Sequence, residues 1–166
     1  RTGENPAAWR GNLAHVLPAP GKIKNERHEP ALQIRDAGRW WQRIEVMEGI
    51  AAKALQFQAM TATRSGAVRL ATWNEIDLDA RVWTIQPGRA SSKIPANGQA
   101  RRVPLTDRMV RLLRSLPRLE ECNYVFWAPK GGALSDMAIG KAMKALHEAD
   151  LADGCAGFVD VVSGAP

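Results

Sequence analysis

The stretch TATRSGAVRLATWNEIDLDARVWTI, residues 61–85, is followed after a loop by RRVPLTDRMVRLL, residues 101–113. A short apolar segment begins after Arg64 and is interrupted at Asn74, which predicts a helix of at most two turns. Residues 78–85 then alternate apolar and polar side chains, and a turn-rich segment leads to a short strand that ends at Pro104. Together these segments predict a small antiparallel sheet.

Helices are predicted on both sides of this sheet, because apolar side chains recur there at helical spacing. Asp36 is the expected N-cap of the first helix, Thr106 and Asp107 cap the helix after the sheet, and Ser135 caps the last one. The predicted fold class is therefore α+β, mainly helical with a small antiparallel sheet. The predicted helical segments are residues 36–47, 50–63, 107–117 and 135–150.

The first thirty residues differ from the rest, since prolines recur through them and disfavour long helices and central strands. We therefore expect an extended lead-in over residues 1–30 and the main domain over residues 31–166. Lys22 and Lys24 lie in this lead-in, where the acids Glu26 and Glu29 dilute their charge. A solvated linker and a strap over DNA both remain open.

Bulk composition limits the classes of protein. The chain has 166 residues, of which 45% are hydrophobic, enough for one sizeable core. It shows neither a signal-peptide pattern nor an apolar run long enough to span a membrane, so we expect a soluble protein in the cytoplasm and no membrane partner. Cys122 and Cys155 lack zinc-site spacing, and we expect no metal and no cofactor.

Charge points to an anionic partner. The formal net charge is +6, and the isoelectric point is about 9.8. Such a balance favours nucleic acid, because lysine and arginine neutralise phosphates and release counterions. A basic soluble protein without such a partner remains the alternative.

The stretch from residue 61 to residue 113 resembles the start of the catalytic domain of tyrosine recombinases, especially phage-type integrases of the satellite-phage and genomic-island kind. The resemblance lies in Thr-x-x-Arg-x-Gly (61–66), Trp-x-x-Ile-Asp (73–77), a lysine loop and Arg-Val-Pro-Leu (102–105), in that order. The segment ENPAAWRGNLAHVLP (4–18) resembles the family's junction between core-binding and catalytic domains. The resemblance implies DNA integration and recombination, with double-stranded DNA and other recombinase protomers as partners.

The resemblance also implies roles for single residues. Arg64 matches the first catalytic arginine, which contacts the scissile phosphate and stabilises charge on its oxygens. Lys93 lies in the loop where the family places a lysine that protonates the leaving 5′-oxygen. Two positions depart from the family: Ala67 replaces an acidic residue, and Arg101 replaces a frequent histidine. We expect Arg64 to be less firmly oriented without that acid.

A basic face is expected around these two catalytic candidates. In proteins of this kind the two-stranded hairpin folds back beside the short helix that follows the first catalytic arginine. Arg64 and Lys93 should therefore share a face with the arginines of the loop before residue 101 and of the strand that ends at Pro104. The DNA-binding candidates are Lys22, Lys24, Arg89, Arg101 and Arg102.

The family's other catalytic residues are a His-x-x-Arg box and a tyrosine nucleophile after it. No histidine of this chain stands in such a box, and the sole tyrosine, Tyr124, lies in the hydrophobic run CNYVFW. We expect that the chain stops just before the box, cannot cleave DNA and is a monomer by itself. Three interpretations remain: a recombinase fragment, a noncatalytic DNA-binding or regulatory remnant, and an unrelated α+β interaction domain.

Overall fold

The computed structural model describes residues 31–88, 94, 96–154 and 158–159, without the side chains of the last two. By its internal contacts the chain divides into two compact units. Leu32–Phe158 form the unit that contains nearly all of the described residues. The predicted lead-in, with Lys22 and Lys24, lies outside the described residues, so its roles stay predictions.

The described chain is mainly helical and carries a small antiparallel sheet, which confirms the predicted fold class. Its α-helices are α1 (Ala37–Val46), α2 (Ile50–Thr61), α3 (Ser65–Arg69), α4 (Asp107–Arg114) and α5 (Ala138–Ala152). Its strands are β1 (Ala31–Leu32), β2 (Ile76–Asp77), β3 (Val82–Ile85), β4 (Arg101–Pro104) and β5 (Phe158–Val159). The 3-10 turns Ile34–Asp36 and Trp73–Glu75 precede α1 and β2.

The main sheet has the strand order β2-β3-β4 and is antiparallel throughout, so β4 lies at an edge. In its register Trp83 pairs with Val103, and Ile85 pairs with Arg101. Trp83, Ile85 and Val103 are buried and lie on one face, because alternate residues of a strand share a face. Strands β1 and β5 form a separate two-stranded pair.

Aromatic rings in mutual contact form the centre of the core. Phe57 of α2 is fully buried, and its ring centroid lies 5.3 Å from that of Trp83 in β3. The ring centroid of Phe126 lies 5.5 Å from that of Phe57. Both pairs are tilted, an arrangement that aromatic quadrupoles favour. Phe57 therefore joins α2 to the sheet and to the segment around residue 126.

The two predicted helix caps around the sheet have different outcomes. Thr106 caps α4 as predicted, since its hydroxyl accepts a hydrogen bond from the Met109 amide at 3.4 Å. The prediction for Ser135 is wrong, because Met137 holds the N-cap position of α5 and no side chain caps that helix. The Ser135 carbonyl oxygen accepts from the Ala138 amide at 3.1 Å, so a backbone turn separates Ser135 from the helix.

Of two other predicted helix ends, the one at Asp36 has the expected position and the one at Pro117 does not. Asp36 is the N-cap residue of α1, but its carboxylate accepts a hydrogen bond from Arg39 at 3.1 Å rather than capping the helix. Helix α4 ends at Arg114 and not at Pro117. Proline disfavours helical conformations in the residue before it, so the helix ends ahead of the proline.

Candidate nucleic-acid interface

Arg64 occupies the N-cap position of α3, between α2 and α3. Its backbone is extended, and its carbonyl oxygen accepts hydrogen bonds from the amides of Ala67 and Val68 at 3.0 and 3.3 Å. The residue is exposed, and its guanidinium has no ion-pair or hydrogen-bond partner among the described residues. A fixed backbone and an available planar guanidinium suit bidentate binding of a phosphate.

The turn that leads into Arg64 is held by two threonines. The Thr61 hydroxyl donates to the Phe57 carbonyl oxygen at 2.8 Å and lies 2.9 Å from the hydroxyl of buried Thr63. Between them Ala62 ends α2 in the left-handed region, with φ 49° and ψ 32°. That conformation costs an L-residue roughly 1–2 kcal/mol, which the hydrogen bonds and packing around it must offset. These contacts with the core fix the position of the Arg64 backbone at the surface.

Two other residues of α3 define the surroundings of Arg64. Ala67 is 3% exposed and lies in the core, so a carboxylate at this position would lose its hydration. Arg69, at the opposite end of α3, pairs with Asp136 and donates to the Leu134 carbonyl oxygen at 3.2 Å. The end of α3 is therefore anchored, while Arg64 at its start stays available to a ligand.

Glu75 connects the segment after α3 to the sheet. It is 8% exposed, and its Oε2 atom accepts hydrogen bonds from the Thr72 amide at 3.2 Å and from Trp83 Nε1 at 3.3 Å. Because Trp83 belongs to β3, this carboxylate connects the β2-β3 hairpin to the segment that follows α3. The sequence alone gives no sign of this role of Glu75, because the Trp83 ring becomes its neighbour only in the folded chain.

The two arginines of β4 are exposed and have no ion-pair or hydrogen-bond partner in the part of the chain that the structure describes. Arg101 pairs in register with Ile85, and Arg102 pairs with Thr84. Successive residues of a strand lie on opposite faces of a sheet, so Arg101 and Arg102 begin on opposite faces. Both side chains are exposed on the edge strand β4, and the shared face with Arg64 that the resemblance implies stays a prediction.

Lys93 and Arg89 lie outside the described residues, so their placement beside Arg64 stays a prediction. Near the loop that contains them, the Gly88 amide donates to the Ile94 carbonyl oxygen at 3.0 Å. This hydrogen bond joins Gly88 and Ile94, which both follow β3 in the chain.

Tyr124 is half-buried beside the segment that follows α3. It forms an isolated antiparallel bridge with Thr72, and the flanking Val125 amide donates to the Ala71 carbonyl oxygen at 2.9 Å. Its expected lack of a nucleophilic role stays a prediction.

Neither a metal-ligating cluster nor a membrane-spanning helix is present in the described ranges. There, no group of three or more histidine, cysteine, aspartate or glutamate side chains could hold a metal ion. No helix in those ranges is both long and apolar enough to cross a membrane. Cys122 is a free thiol, whereas Cys155 lies outside the described residues.

Comparison with solved structures identifies the fold. The Tn1549 transposon integrase in complex with circular intermediate DNA superposes with a TM-score of 0.64 at 13% identity, over 86% of this chain and 53% of that chain. A lambda integrase tetramer bound to a Holliday junction gives 0.58 at 16% identity, over 90% and 42%. XerA recombinase gives 0.52 at 14% identity, over 89% and 51%. The chain has the catalytic-domain fold of the tyrosine recombinases and spans about half of these chains.

Sequence comparison adds one shorter match. A protein named IntB from Escherichia coli (strain K12) is 33% identical over 67 residues, which are 39% of this chain and 17% of that protein. No protein-family model matches the chain. The integrase-type name agrees with the fold, and both agree with the resemblance seen in residues 61–113.

Proposed function

We propose that this chain is part of the catalytic domain of a site-specific tyrosine recombinase that acts in DNA integration and recombination. The observation that carries the proposal is Arg64: an exposed guanidinium without a partner among the described residues, at the start of α3. It supports a phosphate contact in a fold shared with integrases that were solved on DNA.

Further roles belong to the same proposal. Arg64 stabilises charge on the scissile phosphate, and Lys93 protonates the leaving 5′-oxygen. The other basic candidates contact the backbone of double-stranded DNA and carry no sequence information. In the whole protein, other recombinase protomers would be partners, in the cytoplasm of a bacterial host. The proposed backbone contacts are Lys22, Lys24, Arg89, Arg101 and Arg102.

Substitution of Arg64 by glutamine tests this proposal. By fluorescence anisotropy with a labelled 20-base-pair duplex, we expect weak, sequence-independent binding that falls steeply with salt. Removing one phosphate contact should flatten the slope of log affinity against log salt by about 0.9 and weaken binding about tenfold. Arg114→Gln is the matched control, since Arg114 is also an exposed arginine at the end of a helix. Equal slopes for both variants would exclude the Arg64 contact.

A noncatalytic DNA-binding or regulatory protein is the second candidate function. It is favoured by the position of Tyr124, the sole tyrosine of the given sequence, which is half-buried and bridges to Thr72. The gene sequence after Pro166 distinguishes the two candidates. A His-x-x-Arg box followed by a tyrosine would support the recombinase, and a stop codon would support the noncatalytic protein.

We also expect that this chain forms no covalent adduct with a nicked suicide duplex. Formation of a phosphotyrosyl bond requires an aligned hydroxyl and a second arginine to share the transition-state charge, and the sequence offers neither in a His-x-x-Arg context. A denaturing gel measures the outcome. A protease-sensitive shifted band that disappears in Tyr124→Phe would contradict the expectation and identify Tyr124 as the nucleophile.

A further inference from the structure

A second basic site lies in a cleft of about 420 Å³ between α1, α2 and α4, and no residue of α3 lines it. Helix α2 contributes Lys53, helix α4 contributes Arg108 and Arg111, and helix α1 contributes Trp41 and Glu45. Three cations and one carboxylate give this lining a formal charge of +2. None of these residues is among the catalytic or DNA-binding candidates that the resemblance implies.

Arg108 is held in place by two contacts. It forms an ion pair with Glu45, and its guanidinium carbon lies 4.5 Å from the centroid of the Trp41 ring. The hydrogen bond from Arg108 holds the pKa of the Glu45 carboxyl below its ordinary value. A cation fixed in this way binds an anion without losing its own conformational freedom at that moment.

The other two cations are less engaged. Lys53 Nζ lies 3.5 Å from the backbone carbonyl oxygen of Glu45, at the limit of a hydrogen bond. Arg111 is exposed and has no ion-pair or hydrogen-bond partner among the residues described here. Each therefore retains donors for a ligand, while Glu45 neutralises only one of the three charges.

We propose that this cleft binds a phosphate monoester carried on a small organic group. A monoester has a charge of about −1.5 to −2 at pH 7, which matches the formal +2 of the lining. Arginine and lysine are the residues that bind phosphate in proteins, with charge-assisted hydrogen bonds. A DNA backbone phosphate carries one charge, and it is the weaker match.

The volume of the cleft and its lining residues indicate that the phosphate is part of a larger organic ligand. A cleft of about 420 Å³ lies in the range of small-molecule sites, roughly 300–1,000 Å³, and is too large for phosphate alone. Met60 and Leu112 add apolar surface to the lining beside Trp41. An organic group of the size of a nucleoside would contact these side chains while the phosphate meets the cations.

The test uses the full 166-residue chain and adenosine 5′-monophosphate as the probe. We expect saturable changes in the backbone amide signals of Lys53, Arg111 and Ser115 in a nitrogen–proton NMR titration. Arg111→Gln should weaken binding about tenfold, because it removes a charge-assisted hydrogen bond. Lys53→Gln should weaken it as well, and Arg114→Gln is the control, because Arg114 lies on the same helix but outside the cleft lining.

Three comparisons separate the sources of the signal. Inorganic phosphate that binds as tightly as the nucleotide would overturn the proposal, because the organic group would then contribute nothing to binding. Adenosine that produces the same changes as the nucleotide would overturn the proposal, as would equal losses in Arg111→Gln and Arg114→Gln. A 20-base-pair duplex that displaces the nucleotide and loses affinity in Arg111→Gln would overturn it too, since the cleft would then belong to a DNA interface. The proposal does not depend on Arg64, so the two can fail separately.

Discussion

Replacement of Phe57 by alanine should lower the free energy of unfolding by about 4 kcal/mol. Phe57 is fully buried and contacts the rings of both Trp83 and Phe126, so its removal leaves a cavity at the point where α2 meets the sheet. A typical domain is stable by only about 5–15 kcal/mol, so the loss would be a large share of the total. The measurement is the urea midpoint and slope, followed by tryptophan fluorescence.

Phe57→Leu is the matched control, because it retains most of the side-chain volume and should cost about half as much or less. A loss below about 1 kcal/mol for the alanine variant would contradict the assignment of Phe57 to the core centre. Since the Phe57 carbonyl oxygen also accepts the Thr61 hydrogen bond, the same region supports the turn into Arg64.

Replacement of Arg43 by methionine should cost about 2–3 kcal/mol of unfolding free energy. Arg43 Nε lies 2.9 Å from Asp150 Oδ1, and the Asp150 side chain is only 5% exposed. Arg43 also pairs with Asp153, just after α5. Loss of the arginine leaves the Asp150 carboxylate buried without its cation, whereas the arginine itself is 26% exposed, which limits the cost.

The double variant Arg43→Met with Asp150→Leu gives the stricter test. Apolar residues in place of both partners remove the uncompensated charge, so its stability should return to within about 1 kcal/mol of the parent protein. Urea unfolding of the parent, both single variants and the double variant forms a complete cycle. Costs that simply add would show that the two residues do not stabilise each other.

Local patterns in the sequence predicted much of the fold. The short helix after Arg64, the antiparallel sheet and the Thr106 cap all depend on residues that are neighbours along the chain. The fold is similar to that of recombinases at only 13–16% identity, so the motifs at 61–113 were more informative than overall similarity. Ser135 shows where local patterns fail, since a serine hydroxyl can cap a helix but serine is also common in ordinary backbone turns.

Contacts between distant segments could not be predicted from these patterns. Arg108 and Glu45 are 63 residues apart, and on the sequence each is an ordinary charged residue on a helix face. The same holds for Arg43 with Asp150, and for buried Glu75, whose partner Trp83 becomes a neighbour only when the hairpin folds. Charge alone groups Arg101 with Arg102, whereas their positions on opposite faces of β4 follow from the two-residue period of a strand.

The most direct test of the central claim is to map the DNA contact on the protein by nitrogen–proton NMR with a 20-base-pair duplex. If Arg64 meets a phosphate, the backbone amides of α3 and the side-chain signal of Arg64 should show the largest changes. These changes should disappear in Arg64→Gln and persist in Arg114→Gln. Changes that are confined to other surfaces, with α3 unaffected at saturating duplex, would contradict the account.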